Sequence, residues 1–394
     1  MTDMTDEKQQ KKMLRCVLFA FFVSGAASQP LGSFIPFLRS AYGFSYDLSG
    51  VLLSCQSVGN LITVLLTGFL PYYIGRRKTV LCTAVWMAVA YLIFVSGLGS
   101  PALMVIAFLM TGLARGGNSN FSNTMVSTLP GEEVPRGINL LHGCFAIGAL
   151  LSPIILVMIT DRWPVGGWRI MAGLLAVLCI SQIAVYLTMP VPEMSEEKKG
   201  VRAIDRSFLK KRTFWLGTAM LFFYISTEYA IVGWLVTYFQ DSGLLSDNVS
   251  QLMNSLFWLL MFTGRMIGAS VVSRIPKEKL LLIDGFGLCA FFLLMFFSRS
   301  ALPIIIGIIG VGLFMATIYT CAFSFGSECV KGNDLGCSLM IFAGSAGGII
   351  TPALVGFVAE KSGISAGMGL VAAYTGLLLV SIILSVVLKG REKT

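Results

Sequence analysis

Long apolar runs alternate with short polar segments along almost the whole chain. Twelve of these runs have about the 20-residue length that a helix needs to cross a bilayer. The runs are Met13–Phe37, Leu48–Leu70, Thr79–Leu98, Ala102–Leu129, Ile138–Ile159, Trp168–Met189, Thr213–Phe239, Val249–Val272, Leu280–Phe297, Pro303–Ser327, Gly336–Ala359 and Ala366–Leu388. The pattern predicts an all-α integral membrane protein with 12 transmembrane helices.

One polar stretch is much longer than the others and separates the runs into two sets of six. It holds three glutamates among seven lysines and arginines, which is typical of a solvated linker. The predicted organisation is a cytoplasmic tail (1–12), an N-terminal six-helix bundle (13–189), a cytoplasmic linker (190–212), a C-terminal six-helix bundle (213–388) and a second tail (389–394).

The two sets of runs also repeat each other at an offset of about 200 residues. Gly112 in the fourth run corresponds to Gly312 in the tenth, and Gly148–Pro153 in the fifth corresponds to Gly347–Pro352 in the eleventh. An even number of spans in each half makes the two repeats parallel, about an axis along the membrane normal. This is a transporter pattern, in which we expect the substrate to bind at the midplane between the halves.

Composition supports lipid as the main solvent of the chain. Hydrophobic residues make up 56% and charged residues only 12%, against about 25% charged residues in soluble domains. The net charge of +9 could indicate nucleic-acid binding, but the cations lie in short loops between apolar runs. Membrane orientation explains that placement better, so we expect no nucleic-acid partner.

The distribution of the 29 lysines and arginines predicts the orientation. Most of them fall on the side that holds both termini and the linker, which is therefore predicted to be cytoplasmic, at the cell inner membrane. The cations predicted on the other side are Arg39, Arg162, Arg169, Arg299 and Lys361.

The cysteines and the lone histidine argue against a metal site. Nine cysteines form no CxxC pair, and His142 is the only histidine, so we expect no zinc site and no disulfide framework. No GxxxxGK[ST] phosphate loop occurs in the sequence. We therefore expect no cofactor, no enzymatic activity and an energy source other than ATP.

A short basic turn lies between the second and third runs. It resembles the loop 2–3 motif of the major facilitator superfamily of secondary transporters, G-x-x-x-D-[RK]-x-G-[RK]-[RK]-[RK]. The matching residues are Gly68, Gly75, Arg76, Arg77 and Lys78. Tyr72 stands where the family has an aspartate that helps to lock the outward-open state, and Tyr73 where it has a base. The resemblance implies a gating role for this turn, and the missing aspartate implies that neighbouring contacts replace the charge lock.

Two runs indicate a branch of that superfamily. The fifth, with 139–143 followed by 148–153, and the seventh, with Glu228, Trp234 and Tyr238, are similar to the fucose–glucose–galactose:proton symporter branch. The fourth is a partial match, because Ser119 stands where a carboxylate is often found. The fifth run also keeps part of the drug-antiporter motif, without its trailing glycines.

Charged residues inside the apolar runs are the sharpest candidates for function, since each costs at least about 2.5–3.5 kcal/mol at the bilayer centre. Glu228 lies near mid-depth in the seventh run, and we expect it to be the only acid deep in any span. Desolvation favours the neutral form of such a carboxyl group, so it can load and release a proton. The alternative is a structural pair with Arg115.

Arg115 lies midway along the fourth run. It could clamp an anionic group with its two-pronged guanidinium, neutralise Glu228 in one conformational state, or simply hold the fourth helix to a neighbour.

Four other positions have predicted gating or structural roles. Arg265 is expected to make gating contacts towards the cytoplasmic end of the eighth run. Asp284 is expected to be solvated or paired at the surface with Lys277 or Lys279. His142 is expected to pack between helices rather than to relay protons. Pro153 and Pro352, with the glycines near them, are expected to allow bending and close packing of helices.

Polar and aromatic residues at helical spacing supply candidate walls of a binding cavity. The candidates are Gln29, Gln56, Asn60, Arg115, Asn118, Ser119, Tyr224, Glu228, Trp234, Asn254, Trp258 and Tyr319. Neutral donors, neutral acceptors and aromatic faces suit a sugar. The alternative for each residue is that it joins helices to each other in lipid.

The leading hypothesis is a monomeric secondary active transporter that works by alternating access. It would carry a small polar solute, a sugar or polyol, by proton-coupled symport through Glu228. Three alternatives remain: an organic-anion or carboxylate transporter that uses Arg115, a drug/proton antiporter, and a non-transporting sensor on a transporter scaffold. Sodium coupling also stays open, because backbone carbonyls can hold sodium without any sequence motif.

Overall fold

The computed structural model describes residues 7–67, 70–130, 133–191, 207–271, 274–330 and 334–391. Within these ranges the secondary structure is helical, with no β-strand. A helix satisfies every backbone hydrogen bond within its own segment. The hydrocarbon core of a membrane holds no water that could bond to free backbone groups. Long apolar runs are therefore stable there as helices.

The first half of the chain forms eight helices. They are α1 (Glu7–Ser28), α2 (Leu31–Tyr42), α3 (Tyr46–Leu66), α4 (Leu70–Ile74), α5 (Arg76–Ser96), α6 (Pro101–Val126), α7 (Val134–Arg162) and α8 (Gly167–Thr188). The first predicted span is α1 and α2 together, because the chain breaks at Gln29 and Pro30, and α4 is a short turn of helix between the second and third spans.

The second half begins with a 3-10 turn at Ser207–Lys210 and forms seven helices. They are α9 (Arg212–Asp241), α10 (Asp247–Val271), α11 (Lys277–Phe297), α12 (Ala301–Met315), α13 (Ile318–Ser327), α14 (Asp334–Ser362) and α15 (Ile364–Arg391). The tenth predicted span is α12 and α13 together, with a break at Ala316 and Thr317. The structure thus has the 12 helical spans that the hydrophobic pattern predicts.

Ten of the 12 spans, as far as the structure describes them, are long and apolar enough by composition alone to cross a membrane. The two others are α6 and α10. Both carry several buried polar side chains, among them Asn118 and Ser122 on α6 and Asn254 on α10, which lower their mean hydropathy. Many large apolar side chains on the other spans are exposed, for example Leu92, Val177 and Val380. Lipid tails are the expected neighbours of such side chains.

Contacts divide the chain into two compact units. The first comprises Met1–Phe44 and Val51–Lys199, and the second comprises Ser45–Gly50 and Gly200–Thr394. In the first unit, α1 packs on α6 and α7, and α5 packs on α6 and α8. In the second unit, α9 packs on α14 and α15, and α11 packs on α12 and α15.

The first turn of α3 groups with the second unit through polar contacts. The backbone N–H of Tyr46 donates to Glu360 Oε2 at 2.7 Å, and its hydroxyl donates to Asp241 Oδ2 at 2.7 Å. The Tyr46 ring also lies 6.1 Å from that of Trp234.

Small residues allow the helices to approach closely, and the two units do this in the same way. A Cβ atom built on Gly148 of α7 would lie 2.3 Å from the Phe22 carbonyl oxygen of α1. A Cβ atom on Gly347 of α14 would lie 2.5 Å from the Phe222 carbonyl oxygen of α9. The sequence repeat therefore corresponds to a repeated helix contact.

Candidate functional site

The break between α1 and α2 exposes backbone groups inside the first unit. Pro30 lacks an N–H group and cannot continue the hydrogen-bond ladder of the helix. The side-chain amide of Gln56 on α3 satisfies one of the exposed backbone groups, because its Nε2 donates to the Ser28 carbonyl at 2.8 Å. Gln29 is buried at the break, and its Nε2 has no hydrogen-bond partner among the described residues. A buried amide of this kind is available to a bound polar solute.

Asn118 is the centre of a buried polar network that joins three helices of the first unit. Its Nδ2 donates to the Ala20 carbonyl of α1 at 3.1 Å. Its Oδ1 accepts from Gln182 Nε2 at 3.3 Å and from the Tyr186 hydroxyl, both on α8. These contacts use the side chain of Asn118 for helix packing, and a direct role in substrate binding stays a prediction.

Arg115 lies half-buried on α6, and its guanidinium carbon is 5.9 Å from the centre of the Phe145 ring of α7. This cation–π geometry holds α6 against α7. The two remaining polar candidates of this region, Asn60 on α3 and Ser119 on α6, are half-buried. The predicted switch between Arg115 and Glu228 stays a prediction.

Four predicted or neighbouring side chains come together in the second unit, around the middle of α9. Tyr224 and Glu228 are one helical turn apart, and the Tyr224 ring lies 5.8 Å from the Tyr319 ring of α13. The Glu228 carboxylate acts electrostatically on both tyrosine hydroxyls, and the Arg265 guanidinium of α10 acts on that of Tyr224. We call Tyr224, Glu228, Arg265 and Tyr319 the α9 cluster.

The α9 cluster places a phenol hydroxyl beside two charged groups. Tyr224 is buried, and its hydroxyl faces the Glu228 carboxylate and the Arg265 guanidinium, which interact with it electrostatically and as hydrogen-bonding side chains. Glu228 is half-buried, so its carboxyl group is accessible to a proton or a ligand. The cluster can therefore accept a polar solute between aromatic rings and a protonatable carboxyl group.

Sequence reasoning found three of the four members of this cluster. The spacing of Tyr224 and Glu228 along one helix predicts their contact, and Tyr319 was a candidate cavity residue. Arg265 was expected only as a gating contact nearer the end of its span. Its distance in sequence from Tyr224 gives no signal of their interaction, which depends on how α10 packs against α9.

The remaining candidates of the second unit are buried among packed helices. Trp234 is fully buried, and its indole N–H donates to the Pro352 carbonyl of α14 at 3.1 Å. This bond gives the ring a packing function between α9 and α14. Asn254 and Trp258 lie buried one turn apart on α10. Binding roles for these three residues stay predictions.

The basic turn of the first unit is anchored to the end of α8. Arg77 Nη2 donates to the Met189 carbonyl at 2.8 Å, so a cation lies at the negative end of the α8 dipole. Gly75 precedes α5 with φ +85°, a conformation that side chains disfavour. Arg76 is half-buried and Lys78 exposed. Gly68 lies outside the described residues.

The expectation for Asp284 is wrong. The residue is only 6% exposed, and its Oδ2 accepts a hydrogen bond from the Thr317 hydroxyl. Lys277, the expected surface partner, instead donates to Glu328 and to the Ser324 carbonyl at 3.3 Å. Glu228 is consequently not the only acid within the spans. The position of Asp284 in the sequence suggests a solvated helix end, but in the structure α13 packs over its carboxyl group.

The other gating and structural candidates lie within helices. His142 is exposed on α7, and its ring meets the edge of the Phe21 ring at 5.6 Å, in a packing contact. Pro153 lies inside α7 and Pro352 inside α14, where each removes one backbone hydrogen bond. Within the described residues, no group of three or more metal-ligating side chains occurs.

Comparisons with known proteins agree with this architecture. The chain is 24% identical over 357 residues to membrane protein MosC of Rhizobium meliloti, covering 90% of this chain and 86% of the relative. It is 22% identical over 398 residues to a glucose/galactose transporter of Brucella abortus, covering 92% and 91%. The crystal structure of a D-xylose-proton symporter superposes with a TM-score of 0.75 at 13% identity, covering 96% and 97%.

The sequence profile of the Major Facilitator Superfamily matches residues 17–333, which is most of the chain. The 12 helical spans, the repeated helix contacts and this match lead to one conclusion. The chain belongs to the Major Facilitator Superfamily of membrane transporters.

Proposed function

We propose that the chain is a proton-coupled symporter of a small neutral polar solute, a sugar or a polyol. The observation that carries the proposal is the α9 cluster, in which the Glu228 carboxylate lies beside Tyr224 and Tyr319 halfway along a membrane-spanning helix. Glu228 is the proton-carrying group, and the two tyrosines are the solute-binding groups.

The Glu228 carboxyl group and the tyrosines beside it allow proton binding and solute binding to be coupled at one site. Once protonated, the carboxyl group offers an O–H donor as well as an acceptor, which suits a sugar hydroxyl. The tyrosine rings offer flat apolar faces to the C–H side of a sugar ring. Proton binding thus prepares the site for a neutral solute.

The relatives support a sugar as the solute class. A glucose/galactose transporter matches along nine-tenths of the chain, and a D-xylose-proton symporter shares the fold. We further propose a monomer in the cell inner membrane, with both termini and the linker in the cytoplasm. Protons rather than sodium are the coupling ion, because the α9 cluster has a single carboxylate between phenol groups.

A second candidate solute is a small organic anion. Arg115 lies half-buried near the middle of α6, where a guanidinium can bind a carboxylate through two parallel hydrogen bonds. In this case the positive charge of Arg115, and not the proton on Glu228, selects the solute.

Transport in proteoliposomes tests the proposal. We expect an inward proton gradient to drive accumulation of labelled sugars by the wild type, and excess neutral sugars to compete more strongly than small carboxylates. Glu228→Gln cannot release a proton, so accumulation should fall to the level of protein-free liposomes. Exchange of labelled for unlabelled sugar needs no net proton movement and should persist.

Asp247→Asn is the matched control, since it removes an exposed carboxylate at the start of α10. It should accumulate sugar like the wild type. Gradient-driven accumulation that survives Glu228→Gln would refute the coupling role. Competition by carboxylates but not by sugars would replace the first solute class by the second.

A further inference from the structure

A second carboxyl group lies inside the spans, away from the α9 cluster. Asp284 is on the second turn of α11 and is 6% exposed. Taking an isolated carboxylate out of water is costly unless the group is paired or neutral. The surroundings of Asp284 therefore indicate its protonation state.

The partner of Asp284 is at a helix break. Thr317 lies between α12 and α13, and its hydroxyl donates to Asp284 Oδ2. The same threonine carbonyl accepts from the Cys321 N–H at 3.1 Å and from the Thr320 hydroxyl at 2.9 Å. The side chain and backbone of Thr317 thus connect α11 to the bend of the tenth span.

No cation is placed to neutralise Asp284 among the described residues. Lys277 lies on the same helix, two turns before Asp284. Its ammonium group donates hydrogen bonds to Ser324 and Glu328. On α13, the Cys321 thiol interacts electrostatically with the Asp284 carboxylate. Lys277 and Glu278 interact with the same thiol more weakly.

Two other helices, α12 and α15, also pack on α11. The sequence of α12 contains no titratable residue. Ile382 and Leu379 of α15 lie against Gly285, the residue next to Asp284. The contacts of the carboxyl group that the structure describes are thus one hydroxyl and one thiol.

We propose that Asp284 and Thr317 form a second proton-binding site of this protein, within the second unit. The buried carboxyl group of Asp284 takes up the proton, and Thr317 holds this group at the bend between α12 and α13. The proton comes from bulk water and returns to it when the site opens. This inference rests on the proposed function only in that the protein uses a proton gradient.

Proton occupancy at this site biases the shape of the tenth span. Loss of the proton leaves a carboxylate with one hydroxyl donor in an apolar environment, which is unfavourable. Water entry or separation of α11 from the bend relieves that cost. Since Tyr319 of the α9 cluster lies two residues beyond Thr317, a change at the bend moves a proposed solute-binding residue.

Infrared spectroscopy of the purified full-length protein in lipid vesicles tests this site without any solute. The carbonyl stretch of a protonated carboxyl group is resolved from that of a carboxylate. We expect the wild type to show such a band at mildly acidic pH and to lose it as the pH rises. Asp284→Asn should abolish this component, and Glu228→Gln should leave it in place.

Thr317→Val keeps the shape of the side chain and removes the hydroxyl donor, so it should shift the frequency of the same band. Thr375→Val is the control, because this buried hydroxyl donates only to the Val371 carbonyl of its own helix. If Asp284→Asn does not fold, the Thr317→Val shift carries the test. A full band in Asp284→Asn, or no shift in Thr317→Val, would overturn the proposal.

The two proposals fail separately. A transport assay in which Glu228→Gln still accumulates sugar removes the role of Glu228 and leaves the Asp284 band unaffected. An Asp284 side chain that stays ionised at mildly acidic pH removes the second site and leaves the α9 cluster unaffected.

Discussion

The amide of Asn118 shows how a polar side chain contributes within an apolar bundle. Its oxygen accepts from two donors of α8, and its nitrogen donates to α1, so both ends of the group are satisfied. Lipid offers no competing hydrogen bonds, and an amide that bonds to two helices through both its oxygen and its nitrogen therefore fixes the relative rotation of three helices. The polar face of α6 in the sequence reflects this packing at least as much as it reflects a cavity.

Tyr186→Phe should lower the stability of the protein by about 0.6 kcal/mol, the average for an interhelical hydrogen bond in a membrane protein. The loss is limited because Gln182 still donates to Asn118. Equilibrium unfolding in mixed micelles measures it. Tyr374→Phe is the matched control, since the described structure shows no hydrogen bond for that hydroxyl. A loss from Tyr374→Phe equal to that from Tyr186→Phe would contradict the explanation.

Individual residues differ in how far the sequence predicts their surroundings. The pairing of Tyr224 with Glu228 follows from a spacing of four along one helix. The contact of Asp284 with Thr317 joins residues 33 positions apart, across two helices. No local pattern encodes such a contact, because it depends on the rotation of α11 against the bend of the tenth span. Buried partners of this kind become visible only in the packed structure.

Helix pairs reveal the internal repeat more clearly than the sequence does. Gly25 of α1 faces the Phe145 carbonyl of α7, and Gly344 of α14 faces Ile225 of α9. The glycine thus changes sides between the units while the contact is conserved. A sequence comparison that matches residue types at a fixed offset misses such reciprocal substitutions. The repeated element is the close approach of two helices.

Gly148→Ala should destabilise the first unit, because the new Cβ would lie 2.3 Å from the Phe22 carbonyl oxygen and would force α7 away from α1. We expect a loss of about 1–3 kcal/mol, the range for overpacking a tight contact. Gly376→Ala is the control: no heavy atom lies within 4 Å of the built Cβ, so the higher helix propensity of alanine should leave stability equal or slightly higher. Thermal unfolding in detergent compares the two variants. Equal effects would contradict a specific contact at Gly148.

The sequence predicts the helices themselves, but it predicts only one of the two breaks within the first and tenth spans. Pro30 marks the break in the first span, because proline cannot continue the hydrogen-bond ladder. The tenth span has no proline near Ala316 and Thr317, and its hydrophobic run is continuous through the break. A hydrogen bond from Thr317 to another helix accompanies that bend, so the cause is tertiary and not local. Spans follow from hydrophobicity, whereas bends follow from packing.

The whole molecule has few charges, and their placement along the chain is the main evidence for its orientation. Membrane insertion keeps loops that are rich in lysine and arginine on the cytoplasmic side. In the first unit, the first turn of α5 holds Arg76, Arg77 and Lys78, whereas the connection between α7 and α8 has only Arg162 and Arg169 at the adjacent helix ends. The structure adds that Arg77 is bound to the end of α8, which fixes one basic loop against the bundle.

Epitope accessibility in intact cells tests this orientation for the molecule as a whole. A tag inserted within 192–206 should bind antibody only after the membrane is permeabilised, because the predicted linker, 190–212, carries seven lysines and arginines. A tag between Trp163 and Gly166, one span away along α8, should bind antibody without permeabilisation, since an odd number of spans places it on the opposite side. Gradient-driven sugar uptake by both tagged proteins serves as the control for correct folding. Binding to the 192–206 tag in intact cells would reverse the orientation, and with it the direction in which a proton gradient drives the proposed symport.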